Sequence, residues 1–288
     1  MDNRLQIFEA HRPLLFSIAY RMLGSVMEAE DAVQEGYLRY MATEATTIKA
    51  PKAFLCTVVT RLCLDQLKSA RVRREHYVGP WLPEPLATEA APDELLARHE
   101  SIATAFLVLL ESLSPVERAV FLLREVFDYS YRDIAAMVEK SEANCRQLYS
   151  RAKQHLRAHA PKPMTPPPEH RQVVEQFIAA LGQGDAARLT ALLAEDAVLI
   201  SDGGGKVAAA TRPLAGRATI LRFLLGIRGK QPPGVTVEVR EFNSAQAMVV
   251  RIDGKLSSIF QFHVVAGQIH AFHIIRNPEK LRHLTAPE

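Results

Sequence analysis

The sequence predicts a multidomain protein: two all-α domains, the second built around a helix-turn-helix, followed by an α+β domain. Three observations carry this. Apolar residues recur at helical spacing as far as about residue 160. Five prolines then crowd into Pro161 to Pro168, PKPMTPPP, a stiff spacer reaching roughly 25 Å if extended at about 3.1 Å per residue. Beyond it, two or three helices give way to strands punctuated by Asp-Gly and Gly turns, the order of an α+β domain. The expected boundaries are 1–76 and 95–160 for the helical domains, 77–94 and 161–168 for Pro-rich linkers, and 169–288 for the last domain.

The bulk numbers narrow the class. With 288 residues, 48% apolar and 23% charged, the chain suits two or three soluble globular domains. Residues 1–160 carry 20 basic and 21 acidic side chains and the remainder 15 and 11. Any nucleic-acid footprint must therefore come from local clustering, not from the net charge of +3. Cys56, Cys63 and Cys145 have neither disulfide nor metal-ligand spacing and read as core residues, so no metal or cofactor is expected. No run of signal-peptide kind opens the sequence and none approaches the roughly 18 apolar residues of a membrane span. A cytoplasmic location without a membrane partner is the expectation.

In order, Leu5–Met22 reads as a helix ending at Gly24, with Leu14, Leu15, Ile18 and Met22 inward. Glu28–Met41 follows, with Ala32, Val33 and Leu38 inward and an acidic and amide face of Asp31, Gln34 and Glu35. Pro51 opens a long helix at its favoured first position, and Arg61, Lys68, Arg71, Arg73 and Arg74 face only Asp65 and Glu75 toward its end. Such clustering suits phosphate contact, though a solvated face explains it as simply. The linker then holds four prolines and the chain's only Trp, in Trp81-Leu82-Pro83-Glu84-Pro85. A spacer has no need of a large aromatic, so docking on another surface and anchoring on its own domain both stand. Asp93–Leu113 is a helix, and Ser114, Pro115 and Glu117 make a capping box for the next.

Tyr131–Arg157 carries the most pointed evidence. Ile134, Ala135 and Val138, a cap at Ser141, then Cys145, Leu148, Ala152 and Leu156 describe two helices joined by a turn of about three or four residues. Opposite that stripe lie Asn144, Arg146, Gln147, Ser150, Arg151 and Lys153. Asn, Gln and Arg can pair with base edges, while Ser and Lys can hold phosphates. An amphipathic helix with a basic solvated face is the plainer alternative.

After the spacer, Arg171–Leu181, Asp185–Leu193 and Gly216–Ile227 read as helices. Ala197–Ile200, Val235–Phe242, Ala247–Ile252, Leu256–Val265 and Ile269–Ile275 read as strands, the last four an antiparallel meander.

The first half resembles the short, extracytoplasmic-function (ECF) sigma factors of bacterial RNA polymerase. The matching stretches are Ala29-Glu30-Asp31-Ala32-Val33-Gln34-Glu35, Pro51-Lys52-Ala53-Phe54-Leu55 and Leu113-Ser114-Pro115-Val116-Glu117-Arg118, in the order that family has. The whole chain is similar to the subgroup with a fused, cone-shaped SnoaL-like domain, whose marks stand here as Trp81–Pro85, Asp202-Gly203-Gly204-Gly205-Lys206 and Asn277-Pro278-Glu279-Lys280-Leu281. The resemblance implies that Asp31, Gln34 and Glu35 dock the beta-prime clamp of the polymerase core. It implies that loop 41–51 and the helix from Pro51, with Lys49, Lys52, Arg61, Lys68, Arg71, Arg73 and Arg74, open and contact the −10 element of promoter DNA. It implies that Ser141 to Lys153 read the −35 element, and that the tail modulates activity in cis by touching the linker through Trp81, Leu82, Pro83, Glu84, Pro85, Asp202, Gly203, Gly204, Gly205, Lys206, Asn277 and Pro278. Glu139 stands where many helix-turn-helix units have Gly. Forcing it to positive φ costs on the order of 1 kcal/mol, so a differently shaped turn is expected.

A second class of function, a small-molecule sensor or an isomerase- or hydrolase-like enzyme in the C-terminal domain, rests on Asp202, His263, His270 and His273, with His273 placed inside the cup and a pocket able to take a small ligand. No paired carboxylates or nucleophile–base spacing accompany them, and Asp202–Lys206 is too short for a phosphate-binding loop. A regulatory, catalytically silent domain is the favoured expectation.

Overall fold

The computed structural model describes residues 3–75, 77–88, 103–160 and 162–285. They fall into two compact units. One holds residues 3–75 and 106–160; the other holds 77–88, 103–105 and 162–285. The predicted helix over Asp93–Leu113 is described from Thr104 onward, and its first part lies outside the described residues.

In the first unit, α1 (Asn3–Leu23), α2 (Val26–Ala42) and α3 (Pro51–Glu75) pack around Leu15, Ile18, Met22, Ala32, Leu55 and Val59, all essentially inaccessible. The helix start signals act as their chemistry requires. Ser25 caps α2, and Ser114 and Glu117 close a reciprocal capping box on α5 (Pro115–Glu125). Leu38 departs from its expected inward place: it is 54% exposed, on the same side of α2 as exposed Gln34.

Helices α4 (Thr104–Leu110) from Phe106 onward, α5, α6 (Tyr131–Val138) and α7 (Glu142–His159) belong to the same unit. Arg118 of α5 is the buried polar anchor, 3% exposed. It donates to the carbonyls of Met22 (2.7 Å) and Leu110 (3.0 Å) and pairs with Glu111 at 2.7 Å. Three acceptors, two of them carbonyls near helix ends, offset the desolvation that pushes its pKa down to about 9.

The second unit is a six-stranded sheet with strand order β2-β1-β6-β5-β4-β3. Its strands are β1 (Leu193–Asp202), β2 (Leu214–Ala215), β3 (Val235–Phe242), β4 (Ala245–Ile252), β5 (Lys255–Val265) and β6 (Gln268–Ile275). β3 to β6 form the expected antiparallel meander. β1 lies parallel to β6, with Leu199 opposite Phe272 and Ser201 opposite Ile274. Helices α8 (Pro167–Gln183), α9 (Ala186–Leu192) and α10 (Arg217–Arg228) cover one face, where Phe177, Phe262 and Phe272 pack with ring centroids 5.2–5.5 Å apart. The proline spacer is no free rod. Its last two prolines start α8, and the Thr165 N–H donates to Val264 O at 2.8 Å.

His273 lies on the sheet face opposite to these helices, against expectation, because register places it with Gln261 and Ala271 rather than with Phe272 and Ile274. Burial pushes its pKa down to about 4. The folded value lies below the unfolded 6.5, so the stability it secures is complete above pH 6.5 and lost as pH falls toward 4. His273→Met is expected to remove about 3 kcal/mol of this acid sensitivity, read from unfolding curves across that window.

Candidate functional site

The three sequence marks of the C-terminal half meet around one carboxylate. Asp202, at the end of β1, is fully buried. Its Oδ1 accepts from the Tyr77 hydroxyl at 2.6 Å and the Gly204 N–H at 3.0 Å. Its Oδ2 accepts from the Leu82 N–H at 2.8 Å and Lys280 Nζ at 2.7 Å. Its main-chain oxygen accepts from the N–H groups of Arg276 and Asn277. Lys280, 6% exposed, also donates to Leu82 O and lies 4.0 Å from the centre of the Trp81 ring. A buried charge pair with every lone pair used, plus a cation against an aromatic face, is a strong clasp rather than an incidental contact.

The glycines have a packing reason. Gly204 has φ +59, and a Cβ there would meet Asn277 Nδ2 at 2.3 Å and the Tyr77 hydroxyl at 3.1 Å. Next to it, a Cβ on Gly205 would meet Val78 at 3.0 Å. Asn277 caps α11 (Pro278–Leu281) and donates to Tyr77 at 2.9 Å, while Lys206 pairs with Glu279. Burial, then the bond to Asp202, push the Tyr77 phenol pKa up, so it stays a donor.

The rest of the linker runs along the same unit. Leu82, Pro83, Glu84 and Pro85 are buried, and His283 reaches Pro85 O at 2.9 Å. Ala87 bridges Phe242, and Asn243, in the β3–β4 turn, bonds the Leu86 N–H through its side chain at 3.1 Å and Leu86 O through its own N–H at 2.8 Å. Tyr77, Asn243, Lys280 and His283 were absent from the expected contact set. Lys280 and Asn277 sit in one short motif, but nothing local to Tyr77 or Asn243 signals a partner more than a hundred residues away.

In the first unit, α2 presents Asp31 and Gln34 exposed, with Glu35 paired to Arg39 at 2.8 Å. Lys49 and Lys52 are exposed; Lys68 pairs with Asp65. Arg71, Arg73 and Arg74 lie on α3, and their side chains are outside the described residues. Arg61 is engaged elsewhere than in the expected phosphate role: it donates to the carbonyls of Ala136 (2.8 Å) and Met137 (3.2 Å) and pairs with Glu139 at 3.0 Å. That also corrects the turn. Glu139 does adopt the left-handed conformation, φ 55 and ψ 50, and so caps α6 as a Gly would. Arg61 on the last carbonyls of α6 and on the Glu139 carboxylate offsets the strain.

On α7, Ser141 is the N-cap and bonds the Asn144 N–H at 3.2 Å. Arg146 pairs with Glu142 and stacks on Tyr131, while Gln147, Ser150 and Arg151 are exposed and Asn144 is half-buried. Lys153 is tied down: it reaches both oxygens of Glu125 at 3.0 Å and the Tyr149 hydroxyl at 2.7 Å. The Tyr149 bond, with Lys153 beside it, holds the Glu125 pKa below its usual value. The expected phosphate contact at Lys153 is thus committed to an intramolecular network here.

The second unit also encloses a cavity of about 790 Å³ between the helix-covered sheet face and α8 and α10. Asp202, His263, His270 and His273 are all absent from its wall.

Family profiles agree with this layout. Sigma-70 region 2 matches residues 7–73, Sigma-70 region 4 matches 103–156, and a SnoaL-like domain matches 174–269. The ECF RNA polymerase sigma factor SigJ of Mycobacterium tuberculosis is 38% identical over 286 residues, spanning 95% of this chain and 91% of that protein. The probable ECF RNA polymerase sigma factor SigI of the same species is 29% identical, spanning 97% and 95%. The crystal structure of M. tuberculosis SigJ superimposes with a TM-score of 0.79 at 34% identity, covering 96% of this chain and 98% of that one. With region 2, region 4 and a SnoaL-like domain in one chain, the protein belongs to the extracytoplasmic-function RNA polymerase sigma factors.

Proposed function

We propose that this sigma factor brings RNA polymerase core to promoter DNA through the faces of its first unit, and that its C-terminal domain controls the process from within by clasping the linker. The single observation that supports control in cis is the Asp202 clasp on Tyr77, Leu82 and Lys280. Exposed Asp31 and Gln34, with Leu38 beside them, suit a protein interface on the core enzyme. Gln147, Ser150 and Arg151 suit base and phosphate contact on α7.

The first unit as it stands is a resting form. The −10 and −35 elements are, by their names, some 25 base pairs apart, roughly 85 Å at about 3.4 Å per base pair. Arg61 of α3 and Glu139 beside the recognition helix are 3.0 Å apart. Both elements cannot be read until that contact opens. Glu139→Gly removes the ion pair and the backbone strain together, so stability is expected to change by less than about 1 kcal/mol while promoter-dependent transcription rises. Unfolding curves and transcription with core enzyme check the two halves of that statement.

Catalysis has little to work with in the C-terminal cavity. Among the described residues its wall contains no Asp, Glu, His, Cys or Tyr, and Lys230 stands there without a second acid or base to pair with it in proton transfer. Binding and control fit this domain better than turnover.

The test is Trp81→Ala in the full chain. Loss of the ring from Lys280 removes up to about 2 kcal/mol from the clasp. Linker cleavage by a protease and core-dependent transcription should both increase. Unchanged cleavage and transcription from a folded variant would overturn control through the linker.

A further inference from the structure

We infer that the 790 Å³ cavity is a ligand site for an apolar carboxylate, and that its occupation is transmitted to the linker clasp. The inference rests on the cis-control reading above and supplies its input.

The wall defines the chemistry. Val237, Met248, Val250, Phe260 and Ile274 of the sheet face Leu181, Phe223 and Ile227 of the helices, which makes most of the lining hydrocarbon. A volume of this size matches the cavities that hold drug-sized organic molecules. Three polar residues come together on neighbouring strands. Ser201 and Ser258 lie on the strands flanking β6, and Arg276 follows directly after β6. Both serines are nearly buried, at 2% and 5% exposed, and neither hydroxyl has a hydrogen-bond partner among the described residues. Arg276 donates to Ala208 O and has no carboxylate partner among the described residues. Arg228 and Lys230 also line the cavity, and no acidic residue does. Hydroxyl, guanidinium and hydroxyl on adjacent strands, in a mostly apolar chamber, fit an anion with an apolar body. Carboxylate and phosphate both take the paired N–H groups of a guanidinium, and the singly charged carboxylate costs less to bring into a mostly apolar chamber.

The same residues connect the chamber to the clasp. Ser201 lines the cavity, and its neighbour Asp202 is the centre of the clasp. The side chain of Arg276 lines the cavity while its N–H holds the Asp202 carbonyl at 2.8 Å. Its other hold, on Ala208 O, lies in the segment that follows the glycine turn under Tyr77 and Val78. A ligand anion that recruits the guanidinium therefore acts one residue from the linker on both strands.

Trp81 is the only Trp and sits against Lys280, so its emission reports the clasp. The full chain is titrated with decanoate, with 2-naphthoate and, as the uncharged control, with 1-decanol. Binding is followed by calorimetry, and Trp81 emission is followed with decanoate. Saturable one-to-one binding of at least one carboxylate is expected, with decanol weaker than decanoate. Arg276→Gln should weaken carboxylate binding about 10- to 100-fold and leave decanol unchanged. Val250→Phe, which fills the chamber, should abolish binding while the chain stays folded. The Trp81 signal should move with the same midpoint as the heat. Absence of saturable binding by both carboxylates, indifference to Arg276→Gln, or decanoate binding without a Trp81 response would each overturn the inference. If Trp81→Ala still alters transcription in that case, control by the linker stands and only its ligand input is lost.

Discussion

Asp202→Asn is expected to cost the C-terminal unit about 3 to 5 kcal/mol and to release the linker. The carboxylate accepts four side-chain or main-chain donors with no access to water. An amide keeps the shape but removes the negative charge 2.7 Å from the buried Lys280 ammonium, which is the expensive half of breaking a buried pair. One amide NH₂ would also face a donor, either the Tyr77 hydroxyl or the Leu82 N–H. A second change, Lys280→Met, should restore part of the lost stability by removing the buried ammonium, although it leaves the linker unheld. Unfolding curves of the single and double variants give the coupling energy directly. Additive losses would mean that the pair acts through something other than mutual neutralisation. Gly204→Ala reaches the same end by another route, since its Cβ would strike Asn277 and its φ of +59 disfavours any side chain.

Arg118→Ala should open the first unit and lower its stability by about 3 to 5 kcal/mol. Arg118 gathers the ends of α1 and α4 with Glu111, and its removal takes the guanidinium donor from the Met22 carbonyl and leaves Leu110 O with the Leu113 N–H alone. Lysine cannot replace it, because a single ammonium does not span acceptors set for a planar fork. A second readout is Cys56 of α3, fully buried and accepting from the Tyr129 hydroxyl at 3.1 Å, two residues before α6 begins. Loosening α5 and α6 from α1 and α3 should speed its reaction with a thiol reagent. A variant that loses stability with no change in Cys56 reactivity would show that the contact among these helices does not depend on Arg118.

Local chemistry made much of this legible in the sequence. Ser114 with Glu117 and Ser141 before α7 declare helix starts through bonds made within three residues. Asp253-Gly254 and Gly267 declare hairpins through positive φ alone. The four-strand meander follows from alternation between those turns. What alternation cannot supply is which face the helices cover. It puts His273 with Ala271 on one face of β6 and Phe272 on the other, but only packing decides that the phenylalanines face the helices. The parallel pairing of β1 with β6 and the hold of Lys280 on Leu82 join residues far apart in the chain, and no short-range pattern encodes them. Leu38 misled for a related reason: apolar character at helical spacing reads as core, while this residue faces outward on α2.

The clasp bears on reach. Between Glu75 and Thr104 the chain has 28 residues, which extended could span roughly 95 Å at about 3.4 Å each. With residues 77–88 and 103 held on the C-terminal unit, the 14 residues 89–102 set the ceiling on the connection, about 48 Å at about 3.4 Å each. A held linker thus limits how far α3 and the helix-turn-helix can separate on a promoter, and a released one does not. Core-dependent transcription from a promoter this factor recognises, comparing the full chain with Asp202→Asn at equal core occupancy, tests the account most directly. The account predicts more transcript from Asp202→Asn, with the increase tracking protease access to residues 77–88. Equal or lower output from a folded, core-bound variant whose linker is demonstrably free would contradict it.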